Sequence, residues 1–171
     1  ARPREIIFAG PSLPNFGFET PRFGKVTGPR AACAEPKLTT ANVTSYGATK
    51  GYFEQSDSDL FFVQEPRLER LQAEDLARSL YGRREQLVFT PSRQTDAGGL
   101  SAGAMILARN TVRLAEDPEG LSSELYEHHA VAAIMQVQSS EPILGVSAYF
   151  KHGIGMSGIN LQIAKAIATR V

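Results

Sequence analysis

Four apolar residues, Leu60-Phe61-Phe62-Val63, run straight into Gln64 and Glu65. A run of this length, with aromatic and β-branched members, has the make-up of a buried strand. A buried strand that ends in a carboxylate is one way for a rigid scaffold to present a metal ligand or a general base. Upstream, Leu38-Thr39-Thr40-Ala41-Asn42-Val43-Thr44-Ser45 predicts a second strand, ending near Asn42. Two strand tips carrying oxygen donors make a candidate divalent-cation site.

The remaining pattern supplies the elements around these strands. Tyr46, Tyr52 and Phe53 predict a short helix capped by Thr44 or Ser45. Leu68, Leu71, Leu76, Ala77 and Leu80 form a helical stripe running to Tyr81, and Gly82 stands where a helix terminates. Strands are expected at 86–90, 104–109, 131–138 and 143–150. A hairpin-type loop is expected over 92–99, a polar turn over 139–142, and a closing helix over 159–170. Early βα units followed by an antiparallel run suit an α/β sandwich of two sheets with outer helices.

Composition narrows the function classes. Lys plus Arg and Asp plus Glu are each 18, so the totals show no broad cationic field for nucleic acid. Cys33 is the single cysteine, which excludes an intrachain disulfide and a structural multi-cysteine zinc site and fits a reducing compartment. With no apolar run long enough to span a bilayer and no signal-type start, an intracellular protein is expected, nuclear or cytoplasmic being unresolved. Residues 1–37 hold six prolines among glycines and basic residues, and are expected to form a flexible leader; its basic excess offers contacts to phosphate backbones.

Four segments in order carry a likeness: Asn42-Val43-Thr44-Ser45, then Asp59 through Glu65, then Gly98-Gly99-Leu100-Ser101-Ala102-Gly103 into Ala104–Arg109, then Val146-Ser147-Ala148-Tyr149-Phe150. Together they resemble the endonuclease/exonuclease/phosphatase superfamily, nearest in wording to abasic-site endonucleases and the nucleases of non-LTR retrotransposons. The resemblance runs from about Leu38 to the end of the chain. It implies a DNase I-like two-sheet α/β sandwich over residues 38–171, DNA as substrate, and dependence on Mg²⁺ or Mn²⁺. It also implies Glu65 as metal ligand, Asn42 beside the metal or the attacked phosphate, and Tyr149 at the scissile phosphate, with His152 as a further phosphate contact or improvised base.

Each of these residues has a plainer reading. Glu65 may equally be read as a solvent-facing strand end, Asn42 as a turn residue, and Tyr149 as sheet surface. Gln64 should face the opposite side from Glu65 and serve structure. His128 and His129 would diverge on a strand and so not share a metal.

The superfamily's Gly-Asp-Phe-Asn strand and late Ser-Asp-His are missing from this sequence. An incomplete domain with weak or no activity alone is therefore expected, with apolar faces and strand edges left uncovered. Two further readings stand beside the nuclease. One is a noncatalytic remnant that binds nucleic acid through the basic leader. The other is a dinucleotide-binding module, because Gly153-Ile154-Gly155-Met156-Ser157-Gly158 is a literal G-x-G-x-x-G between an expected strand and helix, although no ribose-binding acid follows.

Overall fold

The computed structural model describes residues 36–115, 123–137 and 141–170. The leader as far as residue 35, Cys33 included, and most of the expected 139–142 turn lie outside them.

The chain opens with β1 (Leu38–Asn42), α1 (Tyr46–Gln55), β2 (Leu60–Gln64) and α2 (Arg70–Tyr81). β1 and β2 pair in parallel, Asn42 opposite Gln64, with α1 as the crossover. Ser45 is the N-cap of α1 by backbone geometry, while α2 starts in a capping box between Glu69 and Gln72. Gly82 follows α2 as expected but stays right-handed at φ −58°, so no left-handed cap forms there.

Next come β3 (Gln86–Thr90), a two-residue hairpin of β4 (Arg93–Gln94) with β5 (Leu100–Ser101), and β6 (Ala104–Ala108). The first sheet has the order β1-β2-β6-β3, β6 lying antiparallel to both neighbours. All five β6 residues are buried, as expected for a central strand covered on both faces.

The chain then leaves for a second sheet. β7 (Arg113–Ala115), β8 (Glu124–Tyr126), β9 (Ala130–Gln136) and β10 (Ile143–Ala148) form it, with β9 at its centre and every pairing antiparallel. The expected single meander is thus split between two sheets, and β7 and β8, three residues each, were not anticipated. α3 (Gly158–Ala168) closes the described chain.

Two apolar layers hold the sandwich together. Tyr46, Phe53 and Leu80 from the helices meet Phe61, Val63, Met105 and Leu107 on the outer face of the first sheet. Phe61 is fully buried, with the Phe53 ring edge-on at 5.3 Å and the Arg109 guanidinium over its face at 5.4 Å. On the inner face Leu60, Ile106 and Ala108 pack against Val131, Ala133 and Met135 of β9. The architecture is therefore the two-sheet α/β sandwich with outer helices. Alternation along β2 sends Phe61 and Val63 to the helices and Gln64 between the sheets.

Candidate active site

One end of the sandwich gathers the ends of β1, β2, β3 and β10 and the starts of β6 and β9. Among the described residues, all five non-glycine positions with positive φ lie in connecting segments, and four of them crowd this end: Glu65 (55°), Arg67 (51°), Ala102 (62°) and His128 (62°). L-residues hold such angles only where their surroundings over-determine them, and such strain concentrates at working sites.

The surroundings are specific. The loop after β2 is pinned at three points: Glu65 N–H donates to Gly103 C=O at 3.1 Å, Tyr46 N–H to Pro66 C=O at 2.8 Å, and Ser92 N–H to Leu68 C=O at 2.9 Å. Gly103 itself has φ 89°, and a Cβ there would lie 2.6 Å from Ser92 Oγ. That hydroxyl is buried and donates to Ala102 C=O at 2.9 Å. Glycine is therefore required at 103 by conformation and by space.

Glu65 faces Tyr149, one residue beyond β10. The Tyr149 hydroxyl is pushed up to about 12, first by burial and then by its hydrogen bond to the Glu65 carboxylate and the charge there; Arg67 and Arg93 pull the other way. The phenol accordingly remains a donor throughout the neutral range. Arg67, Arg93 and Lys151 are all exposed, so they set a cationic rim around the pair.

Gln64 points inward, as expected for the residue preceding Glu65. Its Nε2 donates to Ser147 Oγ at 3.2 Å, and Ser147 donates to Val63 C=O at 3.1 Å, a buried polar tie between the two sheets. Asn42 closes β1 opposite Gln64, at the same end of the sheet as Glu65, with its side chain exposed. His152 is exposed in the turn after β10.

The histidine pair sits in the turn entering β9 rather than on the strand itself, and the two rings do diverge. His128 Nδ1 lies 2.8 Å from Pro91 C=O, while His129, buried, lies against Tyr149 with ring centroids 5.8 Å apart and planes 14° from parallel. Burial, and behind it the charges of Arg93, His128 and Lys151, hold the His129 imidazole below its ordinary value against the opposing hydrogen bond to Tyr149. Sequence reading passed over His129 because the contact with Tyr149 joins positions 20 residues apart through sheet pairing.

The donors gathered here are hard oxygens, the chemistry that Mg²⁺ and Mn²⁺ prefer. Among the described residues no group of three or more His, Cys, Asp or Glu side chains stands together. Glu65 thus fits an ion that keeps most of its water and leans on one carboxylate and a substrate phosphate, and does not fit an all-protein cage.

The glycine-rich segment 153–158 belongs to another device. Asn160, buried in the first turn of α3, accepts from Lys151 N–H at 2.7 Å and donates to Lys151 C=O at 2.9 Å and Gly155 C=O at 2.7 Å. The preceding strand, β10, pairs only antiparallel with β9, so no βαβ unit surrounds the motif among the described residues.

No protein-family model matches the chain, and no curated protein matches it. Solved structures do resemble it in part. A 3′-5′ exonuclease from Neisseria meningitidis is similar over 77% of this chain and 50% of its own, at 16% identity and a TM-score of 0.49. A Neisseria 3′ phosphatase bound to product DNA hairpin is similar over 78% and 49%, at 17% identity and a TM-score of 0.47. An AP endonuclease from Leishmania major is similar over 80% and 44%, at 18% identity and a TM-score of 0.48. The chain spans about half the length of the solved structures it is similar to.

Proposed function

We propose that this end of the sandwich is part of a phosphodiester-cleaving site acting on DNA, with Glu65 and Tyr149 as its working pair. The observation that carries the reading is the Glu65–Tyr149 hydrogen bond, built on strained, pinned backbone and rimmed by Arg67, Arg93 and Lys151. The motif order from Asn42 to Tyr149 points the same way.

Glu65, with Asn42 nearby at the strand ends, would hold Mg²⁺ or Mn²⁺, which when bound supplies positive charge to the phosphoryl oxygens. Tyr149 keeps its proton and donates it in a hydrogen bond to a non-bridging oxygen as charge builds there. Arg67 and Arg93 attract and seat the backbone phosphates, and the flat, open surface admits a polymer. His152 is the residue offered for proton transfer to or from water.

The test is nicking of supercoiled and abasic plasmid with Mg²⁺ or Mn²⁺, comparing the chain with Glu65→Ala and Tyr149→Phe. Loss of cleavage in Glu65→Ala and a fall of about 100-fold in Tyr149→Phe are expected. No cleavage by the unsubstituted chain, or cleavage indifferent to Glu65, overturns the reading.

The single-carboxylate character of the site favours one second reading, a noncatalytic binder of nucleic acid. It requires salt-sensitive binding that is lost on deleting residues 1–37 and is indifferent to Mg²⁺ and to Glu65.

A further inference from the structure

We infer that the turn His128-His129 is the positioning device that sets Tyr149 against Glu65, His129 being the positioning residue for the tyrosine. This rests on the reading of Glu65 and Tyr149 as the working pair.

His129 holds Tyr149 in three ways. Its carbonyl accepts the Tyr149 N–H at 2.8 Å, its Nδ1 lies 3.2 Å from the Tyr149 carbonyl, and its ring stacks on the phenol. A carbonyl accepts only, so Nδ1 carries the proton and donates. Both backbone polar groups of Tyr149 are thus bound to one residue, and the stack fixes the direction of the ring.

His129 is held in turn. The Tyr126 ring meets it edge-on at 6.0 Å, Tyr126 C=O accepts the His129 N–H at 3.0 Å, and the Tyr126 hydroxyl donates to Gln162 on α3 at 2.6 Å. The stack therefore has a backstop anchored in a helix.

His128 reaches the other partner. Its carbonyl accepts the Gly103 N–H at 2.6 Å, and the Gly103 carbonyl accepts the Glu65 N–H. Its own N–H donates to Thr90 Oγ1 at 2.7 Å, which fixes the turn to the end of β3. Adjacent histidines thereby tie Glu65, through one glycine, and Tyr149, directly, to the same turn.

A spectroscopic test needs no catalysis. With ¹³Cζ-labelled tyrosine, and Tyr149→Phe to assign the resonance, the Tyr149 signal is followed at about pH 10.5, above the ordinary tyrosine value. It should keep its phenol position in the unsubstituted chain and move toward phenolate in His129→Ala, where water enters and the ring leaves Glu65. His129→Gln retains a donor for the Tyr149 carbonyl and a comparable volume but cannot stack, and it should move the same way; it decides the matter if His129→Ala fails to fold. An unmoved resonance in a folded His129→Ala or His129→Gln overturns the proposal. If the chain nicks plasmid, the same variants should lower kcat by about 10- to 100-fold with KM little changed. Absence of nicking with a moved resonance sinks the nuclease reading and leaves the positioning role standing.

Discussion

Glu65 and Gly103 are joined by a 3.1 Å backbone hydrogen bond while both hold positive φ, 55° and 89°. Two left-handed residues on adjacent strands thus lock the loop after β2 and the entry to β6 into one shape. The carboxylate gets its direction from the loop and from Gly103, not from the strand alone.

Gly103→Ala should accordingly be costly. A Cβ 2.6 Å from a buried, hydrogen-bonded Ser92 Oγ adds a clash to the left-handed penalty, and a loss of at least about 1–3 kcal/mol is expected in urea unfolding. Gly51→Ala should do the opposite. Gly51 lies inside α1 with nothing within 4 Å of its Cβ position, so a gain of about 0.5–1 kcal/mol is expected.

Ser147→Ala should cost about 1–3 kcal/mol, because it removes the partner of Gln64 and leaves that amide unsatisfied between the sheets. The double variant Gln64→Leu/Ser147→Ala should recover part of the loss. Additive losses in a double-mutant cycle would contradict the pairing.

At alkaline pH the fold should weaken through Tyr149. Its folded value, about 12, lies above the ordinary 10.0, so the folded chain holds the proton more tightly than the unfolded one. Its contribution is complete below about pH 10 and disappears as pH rises through about 12. Tyr149→Phe should flatten that limb of a stability-versus-pH curve without abolishing it, because burial also raises Tyr46.

At acid pH the sign reverses for His129. Its folded value lies below 6.5, so the unfolded chain binds the proton more readily. The stability it contributes is present above 6.5 and is lost as pH falls through the folded value. His129→Gln should shrink the drop in Tm between pH 7 and mildly acid pH, measured against the same interval for the unsubstituted chain.

Much of this arrangement is written locally in the chain. The Leu60–Val63 run, the stripe from Leu68 to Leu80 and the Ser45 start of α1 are short-range signals, and each element formed within a residue or two of its expectation. β7 and β8 escaped because three residues carry too little periodicity, and the division into two sheets because it depends on where the chain goes after β6. At the site, Glu65 and Tyr149 were legible from motif order and do meet. The left-handed backbone at Glu65, Arg67 and His128 was not, since no glycine marks those positions and only the surrounding hydrogen bonds impose it. Residues 153–158 spelled a phosphate-binding motif, yet their backbone is organised by Asn160, a signal lying just outside the motif.

β2 and β3 never touch: in the order β1-β2-β6-β3 each is bonded to β6 on its own side, five residue pairs with each. β6 is the keystone of that sheet. The crossover unit β1-α1-β2 and the segment α2-β3 have no strand-to-strand bond with one another, and both Glu65 and Thr90 are registered by the same incoming strand. A nascent chain that has emerged only as far as Thr90 holds two unjoined pieces, and the sheet acquires its continuity, and the site its geometry, in one step when residues 103–108 arrive.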